Sequence, residues 1–313
     1  MPSLDVSQLS ELERFEIECR LLLSGAGFVR AHLSKFDEYQ LFDAHRAFLS
    51  GDYMLTFTDR FGKLLALRPD VTLSVMKQAA YQPGSVIRSY YMEDVFRLSP
   101  DTHQYEARTQ IGAELIAKEY SPSAFEIMDL AQKMLILSGR STVLVLSHMG
   151  LWIHDDWYQS LANEKRGALM KLVAKKDKSG VKALLQKLNC PAQKQAKYLF
   201  LMNLSGTPEE VLGAVMESEF AEECSRIARE IAELSRKLSQ GEEHRILLDL
   251  SLVNPLGYYN GIVFQGFVEG CGSLVISGGQ YDSLAREFLK DHDKTCGAVG
   301  FALDLDELRE VLR

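Results

Sequence analysis

The sequence predicts an α+β fold in which an antiparallel sheet is flanked by helices and carries a small helical insert. Three observations lead there. Strand-like runs come as hairpins or consecutive strands with few strict βαβ alternations, and helical periodicity brackets them at both ends of the chain. Between about Asp155 and Glu242, Leu, Ala, Lys and Glu dominate at helical spacing with no convincing strand. A length of 313 residues, 46% hydrophobic and 25% charged, allows a large core. The expected organisation is a main domain of residues 1–154 and 243–313, with 155–242 as a helical insertion subdomain.

From Ser7 to Ser24, Leu9, Leu12, Phe15, Ile17, Leu21 and Leu22 recur at roughly helical spacing and stop at Gly25, which predicts an opening helix. Tyr53 to Thr58 and Lys63 to Leu67 form a short hairpin around Asp59-Arg60-Phe61-Gly62. Val86 to Arg97 and Gln104 to Ile116 form a longer one, turning at Ser99-Pro100-Asp101. Ser123 to Leu137 has a helical period, with Pro122 at its start and Gly139 past its end, and Thr142 to Leu146 reads as a buried strand. Strand character returns at Ile246 to Val253, Gly261 to Val268 and Leu274 to Ile276. A helix from Tyr281 to Phe288 and a last strand and helix between Ala298 and Leu312 complete the pattern.

A formal net charge of −8 argues against a surface built to neutralise many phosphates. The basic stretch from Lys171 to Lys187 reads as a solvated helix face. Five cysteines without a CxxC pair suit a reducing compartment better than a disulfide framework or a metal site. The first residues are acidic and helix-like, and no apolar run reaches membrane-spanning length, so a soluble, cytoplasmic protein is expected.

Four motifs carry chemistry, each ambiguous alone. Leu67-Arg68-Pro69-Asp70-Val71-Thr72 is a strand running into a helix, equally a plain N-cap. Arg97 closes one hairpin strand, while Gln110 and Glu114, four apart on the other, share a face of the sheet. Gly257-Tyr258-Tyr259-Asn260-Gly261 and Ser277-Gly278-Gly279-Gln280-Tyr281-Asp282 suit turns or close backbone approach, and their tyrosines suit packing.

In this order, together with Ala298 to Leu305, these segments resemble the class II motifs and histidine-specific segments of histidyl-tRNA synthetases, over nearly the whole chain except the helical insert. The resemblance implies a class II synthetase-like core of six or so antiparallel strands, dimerising around Gly27 to Phe42, where Ser34 stands in place of an interface proline. It carries Asp70, Thr72 and Gln110 over to the ammonium end of histidine, and Glu114 and Tyr259 to its imidazole, with Tyr281 beside them. A carboxylate and a phenol suit the two complementary nitrogens of an imidazole.

Against the same family, Arg97 retains the motif 2 arginine, but Ser99, Gln104 and Glu307 replace charged groups of the ATP half, and Asn254 replaces a histidine-specific arginine beside it. Adenylation needs fixed cations at the phosphates, and losing one such donor costs about 3 to 4 kcal/mol of transition-state stabilisation. Glu307 in place of an arginine reverses the sign. The sequence stops at Arg313, so no anticodon-binding domain is expected either.

A histidine-binding core without adenylation resembles the regulatory subunits of ATP phosphoribosyltransferase. That resemblance implies a non-catalytic chain without cofactor or metal, with L-histidine as effector in feedback inhibition. Its partner would be the short-form catalytic subunit of the first step of histidine biosynthesis, and homodimers would sit within a hetero-octamer. Two alternatives stay open. An ATP-dependent amino-acid ligase would show pyrophosphate exchange, and a tRNA-sensing synthetase-like module would shift tRNA in a salt-dependent way.

Overall fold

The computed structural model describes residues 9–46, 49, 54–99, 102–238, 241–254, 259–291 and 295–312. Ser7, Tyr53, the Pro100-Asp101 part of the expected turn and Gly257-Tyr258 lie outside the described residues.

Helix α1 (Glu11–Gly25) starts at a capping box, with Glu13 N donating to the Ser10 hydroxyl and Ser10 N donating to the Glu13 carboxylate. Strands β1 (Val29–Arg30) and β2 (Phe36–Glu38), helix α2 (Tyr39–Ala44), and strands β3 (Thr56–Thr58) and β4 (Leu64–Leu67) follow, with β2, β4 and β3 forming a small antiparallel sheet of their own. Helix α3 (Val71–Ala79) leads to the long hairpin β5 (Val86–Leu98) and β6 (Tyr105–Ala117), then α4 (Ala124–Ile136), β7 (Thr142–His148) and α5 (Gly150–Ile153). A helical region follows: α6 (Asp156–Ser160), α7 (Asn163–Ala174), α8 (Lys178–Lys187), α9 (Ala192–Asn203), the short strand β8 (Ser205–Gly206), α10 (Pro208–Glu217) and α11 (Ala221–Lys237). Strands β9 (His244–Asp249), β10 (Ile262–Val268) and β11 (Ile276–Gln280), helix α12 (Asp282–Leu289), strand β12 (Gly297–Asp304) and helix α13 (Leu305–Leu308) complete the chain.

Among the described residues the main sheet has nine strands in the order β1-β5-β6-β12-β11-β10-β7-β9-β8. Its centre, from β5 to β7, is six strands of antiparallel pairing. Strands β1 and β9 extend it by parallel pairing, and β8 closes the far edge antiparallel to β9. Alternation along β6 divides the molecule. Ile111, Ala113 and Leu115 face the core built with α1 and α4, and residues 110, 112 and 114 face the side covered by α3 and α12. Each fully buried Leu or Phe in these two cores contributes about 1.5 to 3 kcal/mol.

Two local expectations are corrected. The stretch 155–242 does contain a strand: two residues carry no periodicity, yet β8 joins the main sheet. Helical-region residues such as Leu169, Val173 and Leu201 share one apolar cluster with Leu144 and Leu146 of β7. Strand β9 ends at Asp249 rather than Val253, because the Asp249 carboxylate accepts from Ser251 N and Oγ at 2.9 and 2.6 Å and turns the chain. Of the two readings of Gly278 and Gly279, close backbone approach holds and a turn does not: both lie inside β11, where a Cβ at Gly278 would meet the Phe264 ring and the Gly300 carbonyl.

Candidate functional site

The site is built on β6. Gly300 of β12 stands opposite Glu114, and Gly112 stands opposite Tyr91 of β5. A Cβ at Gly300 would overlap the Glu114 carboxylate, and one at Gly112 would overlap the Tyr91 ring, so both positions demand glycine for space. Asp70 caps α3 by accepting from Leu73 N at 3.1 Å, which sets Asp70 and Thr72 on the first turn against the sheet.

Together these elements enclose a cavity of about 400 Å³. Asp70, Thr72, Gln110, Glu114, Tyr259 and Tyr281 all line it, as do Arg97 and Asn254. The cap reading of Asp70 and its place in the cavity hold at once.

Glu114, 1% exposed, accepts from the Thr72 hydroxyl at 2.8 Å and from the Tyr281 hydroxyl. Burial pushes its carboxyl up to about 8; the bonds from Tyr281 and Thr72 pull the other way, and the charge of Asp70 adds to the rise. Burial and the neighbouring Glu114 likewise hold the Tyr281 and Tyr91 phenols neutral, far above the ordinary tyrosine value. The carboxyl is thus poised to exchange a proton with a basic ligand near neutrality.

At the other end, Arg97 donates through Nε to the Pro69 carbonyl at 2.7 Å, and its Nη2 lies 4.0 Å from the Asp70 carboxylate. Burial raises the Asp70 pKa while Arg97 opposes the rise. A carboxylate beside a guanidinium matches the ammonium and carboxylate of an α-amino acid.

Among the described residues Arg97 is the one cation lining the cavity. Arg108, two residues before Gln110 and on the same face of β6, is drawn off by Asp304 at 3.3 Å and by Glu307. Glu307, expected as a bare repelling anion, is therefore ion-paired. Ser99 and Gln104 lie in the β5–β6 turn, where Ser99 N donates to the Gln104 carbonyl at 2.9 Å, and neither lines the cavity.

Sequence reasoning missed Tyr91 and Gln265 in the lining and Arg108 beside it, and quoted Ser277 in a motif without giving it a place there. The two-residue period through Gln110 and Glu114 could have placed Arg108 on their face. It also missed Arg68, fully buried, whose guanidinium donates to the carbonyls of Ser34 at 2.8 Å and Asp94 at 2.9 Å and to the Glu93 carboxylate at 2.9 Å. Ser34 is thereby tied to β5 through its backbone. Among the described residues no His, Cys, Asp and Glu cluster could hold a metal ion, and no helix is long and apolar enough to cross a membrane.

Comparison with known proteins places this geometry. The model of the histidyl-tRNA synthetase family matches residues 4–308. The ATP phosphoribosyltransferase regulatory subunit of Alkaliphilus metalliredigens is 29% identical over 295 residues, covering 91% of this chain and 73% of that protein. Two solved structures share the fold. One is an ATP phosphoribosyltransferase regulatory subunit/histidyl-tRNA synthetase from Bacillus halodurans, with a TM-score of 0.78 at 22% identity over 97% of this chain and 79% of that one. The other is a chain of the ATP phosphoribosyl transferase (HisG:HisZ) complex from Thermotoga maritima, with a TM-score of 0.68 at 17% identity over 94% of this chain and 97% of that one. With its motifs gathered around one cavity and its relatives named for a regulatory role, the chain belongs to the histidyl-tRNA synthetase family, among its ATP phosphoribosyltransferase regulatory subunit relatives.

Proposed function

We propose that this chain is the non-catalytic regulatory subunit of an ATP phosphoribosyltransferase, required by a short catalytic subunit of the HisG type and conveying feedback inhibition by L-histidine. The observation that carries the reading is a division within one cleft. Asp70, Thr72, Gln110, Glu114, Tyr259 and Tyr281 converge on one cavity with room for an amino acid, while Arg108 is spent on Asp304 and Glu307. Histidine would place its ammonium at Asp70, Thr72 and Gln110 and its imidazole between Glu114 and Tyr259, with Tyr281 steadying Glu114. Feedback then requires only that histidine bind the less active state of the assembly more tightly. Homodimers joined through residues 27–42, cytoplasmic and combined with catalytic subunits in a hetero-octamer, complete the proposal. Co-purification with the catalytic subunit, followed by a phosphoribosyl-transfer assay with and without histidine, tests it. Transfer that needs this chain and falls with histidine is the expected result; transfer indifferent to the chain sinks the proposal.

A further inference from the structure

The wall of the cavity hangs from the helical region. Leu252, Val253 and Asn254 line the cavity. Just before them, Leu250 N donates to the Leu204 carbonyl at the end of α9 at 3.0 Å, and the Leu250 carbonyl accepts from the Trp152 indole N–H at 2.8 Å. One residue earlier, the Asp249 carboxylate takes Lys176 Nζ at 2.5 Å, from the turn between α7 and α8. The Trp152 ring stacks on Tyr198 of α9, with centroids 5.4 Å apart and planes 4° apart. Leu250, Ser251 and Trp152 are buried.

A close-packed interior transmits displacement instead of absorbing it. A ligand that shifts residues 252–254 therefore shifts the Leu250 backbone, whose N–H bonds the Leu204 carbonyl and whose carbonyl bonds Trp152. Trp152 stands at the junction, bonded to one side and stacked on the other.

We propose that Trp152 is a positioning residue for the cavity, fixing the wall Leu252 to Asn254 through the Leu250 carbonyl and passing occupancy of the cavity to α9. The coupling half rests on the histidine reading above; the positioning half does not.

Trp152→Phe keeps a buried ring and loses the N–H. Hydrogen exchange read by mass spectrometry on the full chain separates the two halves. In the ligand-free protein, exchange across 249–254 is expected to rise about fivefold in Trp152→Phe, the effect of one lost hydrogen bond, with β5 and β6 unchanged. In the wild type, saturating histidine is expected to slow exchange at both 110–117 and 196–206, and in Trp152→Phe at 110–117 alone. Unchanged exchange at 249–254 in the ligand-free variant overturns the positioning role. Protection at 196–206 that survives in the variant, or is absent from a wild type protected at 110–117, overturns the coupling. A wild type with no protection at 110–117 defeats the histidine reading and the coupling with it, while the ligand-free comparison still decides the positioning role. Should Trp152→Phe not fold, NMR on the wild type decides the positioning role: a Trp152 indole N–H that exchanges with solvent as slowly as the amides of β7 upholds its bond to the Leu250 carbonyl, and one that exchanges freely overturns it.

Discussion

Arg108, on the cavity face of β6, gives its guanidinium to the carboxylate of Glu307 and lies 3.3 Å from that of Asp304. Two acids around one arginine leave a negative end where phosphates would need a positive one. The chain alone is expected to give no pyrophosphate exchange with histidine and ATP. Glu307→Gln leaves Arg108 still held by Asp304, so ATP affinity measured by equilibrium dialysis is expected to gain no more than about tenfold. Micromolar ATP binding by the wild type would contradict this account.

Glu114 is the acceptor around which the amino-acid end is organised. Calorimetry with histidine is expected to show a loss of at least about tenfold in affinity for Glu114→Gln, in line with a charge-assisted hydrogen bond. Equal affinities would remove Glu114 from the ligand's reach.

The same residue sets a pH dependence. Its folded-state pKa of about 8 lies above the ordinary 4.5, so between those values the folded chain holds a proton that the unfolded chain has released. Stability from this group therefore falls as pH rises through that window. The Tm difference, Glu114→Gln minus wild type, is expected to grow between about pH 5 and about pH 8. Asp155, held near 2 because Lys194 and Lys197 outweigh its burial, acts at lower pH and cancels in the difference. A constant difference would show that Glu114 ionises normally.

Arg68 is a joint more than a surface charge. Arg68→Met leaves the Glu93 carboxylate and the Ser34 and Asp94 carbonyls without a buried donor, and is expected to cost about 3 to 5 kcal/mol in urea denaturation. Arg68→Lys is expected to recover less than half of that, since an ammonium cannot reproduce the planar fork.

Gly300→Ala places a methyl against the Glu114 carboxylate. The expected result is a loss of about 1 to 3 kcal/mol of stability and a weaker histidine isotherm. Full retention of both would mean that β6 and β12 can part locally.

Much of this was readable in the residues because local rules suffice for it. Hairpin β5–β6 announces itself by two strand-like runs and a turn, and Gln110 and Glu114 share a face by period alone. The meeting of Arg108 with Glu307 has no such signal. They stand 199 residues apart, and only the register of β6 with β12, which sets Gln110 against Asp304, brings them together. Arg68 sat inside a recognised motif, yet its partners at Ser34, Glu93 and Asp94 belong to the tertiary path of the chain. Strand β8 is too short for any periodicity, and its pairing with β9 depends on the helices around it.

The pairing of Glu114 with Gly300 also governs when the cavity can come into being. On a ribosome, β6 emerges long before β12, so the floor of the cleft waits with an open edge while β7, the helical region and strands β9 to β11 are synthesised. Loop closure over that span is slow, and the waiting edge of β6 is a template for strands of other chains. Nascent molecules caught in this interval would be the ones that need a chaperone.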